Sequence, residues 1–183
     1  MNTLVLGGAR SGKSRFAESL AVQGAGSKIL IATGTAGDEE MAARIAAHRA
    51  KRATSWKVIE EPLHLAAALA KAATPGAFVV VDCLTLWLTN LLCHANAELF
   101  NTEVESLISS LPALSGDNVF VANEVGLGIM PINELARRFT DAAGVLHQRL
   151  GALCDSVVLM VAGIPMTIKR CEIHMQPTDQ HYP

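Results

Sequence analysis

The chain has 183 residues, half of them hydrophobic and 17% charged, with a formal charge of −2 at pH 7. That length favours one domain able to bury roughly 70% of its unfolded surface, and the composition excludes disorder over most of it. The near-neutral charge excludes nucleic-acid binding driven by bulk electrostatics, and no apolar stretch reaches the ~20 residues of a membrane-spanning helix.

Thr3–Leu6 reads as a short buried strand, and Arg15 to Ala21 as the opening turns of a helix. Between them Gly7, Gly8, Ala9, Arg10, Ser11, Gly12, Lys13 and Ser14 spell G-x-x-x-x-G-K-S, a phosphate-binding loop in its proper strand-to-helix context. The glycines let backbone N–H groups turn toward phosphate oxygens, and the new helix points its positive end at the same anion. Lys13 is placed to reach the β- and γ-phosphates, and the Ser14 hydroxyl to ligate Mg²⁺. A nucleoside triphosphate is the expected ligand. The loop lies where the apolar region and cleavage site of a signal peptide would fall, so a cytoplasmic location is expected.

Further along, Lys28–Ala32 predicts a second buried strand, and Asp38–Arg52 a helix with acids first and bases last, as the helix dipole favours. Pro62–Ala73 predicts a helix with Pro62 in its first turn. After the break at Thr74-Pro75-Gly76 come the strand Phe78–Val81 and helices over Leu84–Cys93 and Ala97–Ser110. Ser115-Gly116-Asp117 turns into the strand Val119–Ala122, a helix covers Asn133–Leu153, and Val157–Val161 forms a last strand. Continuous apolar strands separated by helices predict an α/β fold, with a mainly parallel sheet covered by helices on both faces. Residues 1–170 form the expected single catalytic domain, and 171–183, without periodicity, a poorly ordered tail. The four cysteines, Cys83, Cys93, Cys154 and Cys171, have neither C-x-x-C nor zinc-ligand spacing and read as isolated thiols.

Chemistry beyond the loop centres on a few residues. Asp82 ends an apolar strand, where an acid holds Mg²⁺ in the Walker-B manner or caps the next helix. His48 shares a helix face with Arg44, Lys51 and Arg52. That face is either a solvated surface or a nucleophilic imidazole, kept neutral by cations that steady phosphate oxygens. Glu124, in Asn123-Glu124-Val125-Gly126-Leu127-Gly128, is either a capping acid or a base for a substrate hydroxyl. Glu60 reads as a surface acid, and His64, His94 and His147 have no supporting constellation.

The chain resembles the bifunctional adenosylcobinamide kinase/adenosylcobinamide-phosphate guanylyltransferase family of cobalamin biosynthesis. The resemblance is carried by GGARSGKSRFAE at 7–18, IATGTAGDEEMAARIAAHRAKR at 31–52, W-x-x-I-E-E-P at 56–62 and VDCLTLWLTNLL at 81–92. NEVGLGIMP at 123–131, LARRFTDAAGVLHQRLG at 135–151 and VAGIPMTIK at 161–169 continue it almost to the end. The resemblance implies a RecA-like P-loop fold, a homotrimer, and His48 as the residue that becomes guanylylated; the first of the two adjacent histidines some relatives carry is Ala47 here. It further implies nucleotide contacts at Ile31, Ala32, Thr33, Arg49, Ala50, Lys51, Arg52, Glu60 and Asp82. The implied activity phosphorylates adenosylcobinamide with ATP or GTP. GMP then passes from GTP through His48 to adenosylcobinamide phosphate, giving adenosylcobinamide-GDP. Mg²⁺ accompanies the nucleotide, and no tightly bound organic cofactor or nucleic-acid partner is expected. The competing reading is a single-function small-molecule P-loop kinase whose His48 is mere surface.

Overall fold

The computed structural model describes residues 1–21, 26–35, 39 and 55–170. The helix expected over 38–52 and the tail at 171–183 therefore lie almost wholly outside the described residues. The strands are β1 (Asn2–Gly7), β2 (Lys28–Ala32), β3 (Trp56–Glu60), β4 (Phe78–Asp82), β5 (Asp117–Asn123), β6 (Ser156–Val161) and β7 (Ile164–Lys169). The helices are α1 (Lys13–Leu20), α2 (Leu65–Ala72), α3 (Leu84–Leu92), α4 (Glu98–Ser110) and α5 (Glu134–Leu153).

One seven-stranded sheet runs in the order β3-β2-β4-β5-β1-β6-β7. Every pairing is parallel except the β6–β7 hairpin. The central strands read as unbroken apolar runs because both their faces are covered. Successive side chains alternate between two cores, as strand geometry requires. Leu4, Ile31, Val79, Val81 and Phe120 face α2–α5 and pack with Leu69, Trp87, Leu107 and Leu146. Val5, Leu30, Val80, Val119 and Val121 face the other way, toward Ala17 and Ala21.

Two strands escaped the sequence reading. β3 is an edge strand whose Lys57, Val58 and Glu60 are exposed, so it lacks the continuous apolar run of its neighbours. β7, exposed along its whole length and carrying Pro165, follows what was expected to be the last strand. Its hairpin turns on Ala162 (φ 52°) and Gly163 (φ 85°), the pair of positive φ angles that a two-residue type I′ loop needs. Pro165 is tolerated because the strand lies at the rim.

Pro62 is not in the first turn of a helix. Helix α2 begins at Leu65, because Glu61 Oε1 accepts from the N–H groups of Leu63 (3.0 Å) and His64 (2.8 Å) and shapes a turn ahead of it. Trp87 Nε1 donates to the Leu63 carbonyl at 2.7 Å and fastens that turn to α3. Asn133 caps α5, its side chain accepting from Ala136 N at 3.0 Å. Burial pushes the Cys154 thiol up to about 12, so it packs rather than reacts.

Candidate active site

At the carboxyl edge of the sheet, β1 runs into the glycine-rich loop and α1 begins at Lys13. Gly12 caps that helix in the left-handed region (φ 97°), and the first intrahelical bond is Phe16 N to Gly12 O at 2.9 Å. Amide groups ahead of Phe16 in the first turn therefore point out of the helix end, toward the space over the loop. Lys13 is only 7% exposed. Its Nζ donates to the carbonyls of Gly7 (2.9 Å) and Gly8 (2.6 Å), leaving one of the three ammonium N–H groups for a phosphate. Burial lowers the Lys13 pKa, and Cys83 and Asp82 pull it back upward.

Gly7 has φ +152°, and a Cβ there would lie 2.5 Å from the Met160 carbonyl oxygen and 2.7 Å from Ser11 Oγ. Gly163 N, in the β6–β7 turn, donates to Ser11 O at 3.0 Å, so that hairpin braces the loop from behind. Gly7→Ala is expected to destabilise the protein by roughly 2–3 kcal/mol through this overpacking. The check is the urea midpoint of unfolding; a wild-type midpoint contradicts the crowding.

Strand β5 lies between β1 and β4. Asp82, ending β4, therefore stands two strand spacings, about 10 Å, from the β1 end. Ser14 is half-buried in the first turn of α1. Among the described residues no three His, Cys, Asp or Glu side chains gather as a metal cage. One hydroxyl and one carboxylate beside a phosphate loop is a hard-oxygen set. It suits Mg²⁺ held mainly by substrate phosphates.

The expected nucleotide contacts on β2 have mixed placements. Ile31 is wholly buried in the core, and Ala32 ends the strand opposite both Asp82 and Glu60. Thr33 is also fully buried. Its Oγ1 donates to Cys83 O at 2.6 Å and accepts from Cys83 N at 3.0 Å, stitching β2 to the chain leaving β4. Glu60, exposed at the end of β3, stands four strand spacings, about 19 Å, from the β1 end. Arg49, Ala50, Lys51, Arg52 and His48 lie outside the described residues.

Asn90 went unnoticed in the sequence, and His64 and His147 were read as having no partners. Asn90 Nδ2 donates to the carbonyls of Thr33 (2.7 Å) and Pro62 (3.0 Å), and its Oδ1 accepts from Thr35 Oγ1 (3.1 Å). A lone amide in the apolar stretch LTLWLTNLL was the available signal. His64 is partnered after all: its Nδ1 lies 2.8 Å from Glu103 Oε1, tying the start of α2 to α4, and that bond raises its pKa. His147 also has a constellation. Glu124 leaves β5 between Gly7 and Asp82, its backbone N bonded to Gly7 O at 3.0 Å. Its Oε1 accepts from Gly126 N at 2.6 Å, and its Oε2 faces His147 Nδ1 at 3.9 Å. Burial lowers the His147 pKa against the opposing pull of Glu124. Both partners are far apart in the chain, which is why neither was legible.

A phosphate loop on the carboxyl edge of a parallel sheet, with the acid-bearing strand one position removed, defines a P-loop NTPase of the RecA-like class. The fold is similar to that of the P4 protein from bacteriophage phi6 in complex with ADP (TM-score 0.51, 16% identity), covering 93% of this chain and 55% of that one. It is equally similar to a Pyrococcus horikoshii OT3 protein (TM-score 0.51, 10% identity), covering 93% and 87%. Within that class, residues 3–168 match the family described as cobinamide kinase / cobinamide phosphate guanyltransferase, and the chain belongs to that family. It is 50% identical over 169 residues to the bifunctional adenosylcobalamin biosynthesis protein CobP of Pseudomonas aeruginosa, covering 92% of this chain and 98% of the relative. To the bifunctional adenosylcobalamin biosynthesis protein CobU of Escherichia coli it is 41% identical over 183 residues, covering 92% and 100%. No helix among the described residues is long and apolar enough to cross a membrane.

Proposed function

We propose that this protein phosphorylates adenosylcobinamide with ATP or GTP and then transfers GMP from GTP to the product, giving adenosylcobinamide-GDP. The observation that carries the reading is Lys13, buried over the Gly7 and Gly8 carbonyls with Asp82 and Glu124 leaving neighbouring strands at the same edge. Family membership supplies the substrate class.

In the first reaction the loop amides and Lys13 hold the triphosphate and meet the charge that spreads over the transferred phosphoryl group. The aminopropanol hydroxyl of adenosylcobinamide attacks the γ-phosphorus, the bond to the β,γ-bridging oxygen breaks, and Glu124 takes the hydroxyl proton. Ser14 and Asp82 are the residues that would hold Mg²⁺, which neutralises phosphate charge when bound. In the second reaction the His48 imidazole attacks the α-phosphorus of GTP and expels pyrophosphate. The phosphoramidate then passes GMP to the phosphate made first, so two easier displacements replace attack by a weak nucleophile. Arg49, Lys51 and Arg52 steady the departing oxyanions. Triphosphate use fits a cytoplasmic setting.

The test is incubation with adenosylcobinamide, Mg²⁺ and either nucleotide, followed by mass analysis of the corrinoid. Addition of one phosphoryl group, and with GTP of a further GMP, is expected; an unmodified corrinoid overturns the reading. Phosphorylation without GMP addition leaves the single-function kinase.

A homotrimer belongs to the same proposal. It is supported by apolar surface that a lone protomer leaves in water, from Leu127, Ile129, Met130 and Ile132 after β5 to Ile164 and Ile168 on β7. Sedimentation equilibrium should return three times the mass of one chain, and a monomer at micromolar concentration contradicts it.

A further inference from the structure

The loop after β5 supplies an acid whose second oxygen is unused by the backbone. Glu124 Oε1 is fixed by Gly126 N, while Oε2 is turned toward the ring of His147, presented by α5. His147 borders the apolar stripe of that helix, one turn from Ala143 and Leu150, both buried. Its side chain is about one-tenth exposed and that of Glu124 about one-fifth, so the pair is shielded yet open on the acid's side.

We infer that His147 is a positioning residue and proton relay for Glu124, receiving through Glu124 Oε2 the proton released by the hydroxyl that is phosphorylated. The inference rests on the kinase reading above. As the hydroxyl oxygen bonds to the γ-phosphorus and the β,γ-bridging bond breaks, the hydroxyl proton moves to Oε2 and from there to Nδ1. The 3.9 Å gap closes by about 1 Å to an ordinary hydrogen bond in that transfer. Glu124 returns to the carboxylate form, and the imidazolium loses its proton to water afterwards. Burial holds the imidazole neutral before the transfer, and the charge of Glu124, which favours the imidazolium, opposes that shift. The relay needs no oxidant or co-reactant beyond the nucleotide and the alcohol.

The test compares wild type with His147→Gln, Glu124→Gln and the double variant, using adenosylcobinamide and ATP. His147→Gln is expected to lower kcat of phosphorylation by roughly 10- to 100-fold with KM nearly constant. It should cost nothing further in the Glu124→Gln background, since both act on one proton. Self-labelling by α-labelled GTP needs no hydroxyl base and should persist, which separates the relay from a collapsed loop. A wild-type kcat in His147→Gln, additive losses in the double variant, or parallel loss of self-labelling overturns the relay alone. Failure of the wild type to phosphorylate the corrinoid overturns the kinase reading, and the relay with it.

Discussion

Lys13→Ala should lower kcat for phosphoryl transfer by roughly two to three orders of magnitude, the loss typical of one charged donor removed from a developing oxyanion. The ammonium is poised by its neighbours: two of its three N–H groups are held by Gly7 and Gly8 carbonyls at 2.9 and 2.6 Å, so the third is aimed rather than free. Preorganisation of this kind costs nothing at the moment of reaction, which is why its removal is felt in kcat. The stability change should be much smaller, about 1 kcal/mol, because two lost hydrogen bonds are offset by relief from burying a charge. Lys13→Arg should fail as well, since a planar fork cannot follow a point charge through so narrow a cradle. Steady-state kinetics together with a thermal melt checks both halves. A Lys13→Ala enzyme with wild-type kcat, or one that is unfolded, refutes this account of the loop.

His48→Ala should abolish covalent labelling by α-labelled GTP and reduce GMP transfer by roughly 10³-fold or more, while phosphorylation of adenosylcobinamide survives. The asymmetry is diagnostic. In the proposed mechanism phosphoryl transfer uses Lys13, Asp82 and Glu124, none of which lies near residue 48 in the chain, whereas GMP transfer through a phosphoramidate would have no route without the imidazole. The label on wild type should be lost in acid and kept in alkali, and peptide mapping should place it on residue 48. Equal labelling of wild type and His48→Ala ends the covalent proposal and returns the protein to the class of single-function kinases.

How much of this was legible beforehand follows from what each residue depends on. Lys28–Ala32 matches its strand to the residue, and the central strands of the sheet were all found, because a strand buried on two faces must be apolar throughout. β3 and β7 were missed because rim strands carry no such demand: Lys57 and Glu60 face water, and Pro165 reads as a breaker. The phosphate loop was legible because its chemistry is local to eight consecutive residues. The Glu124–His147 pair, the His64–Glu103 pair and the Asn90 clamp were not, because each joins residues more than 20 positions apart. Ile31 and Thr33 are a different case: the family resemblance implied nucleotide contacts there, and packing takes both residues into the interior.

The turn between β6 and β7 is tied to the phosphate loop by the hydrogen bond from Gly163 N to Ser11 O. Linkage makes that contact work in both directions. If that bond couples the two, whatever tightens the grip steadies the far rim of the sheet, and whatever pries the rim loose slackens the grip. A substitution that loosens the outermost hairpin is therefore expected to weaken triphosphate affinity from a distance.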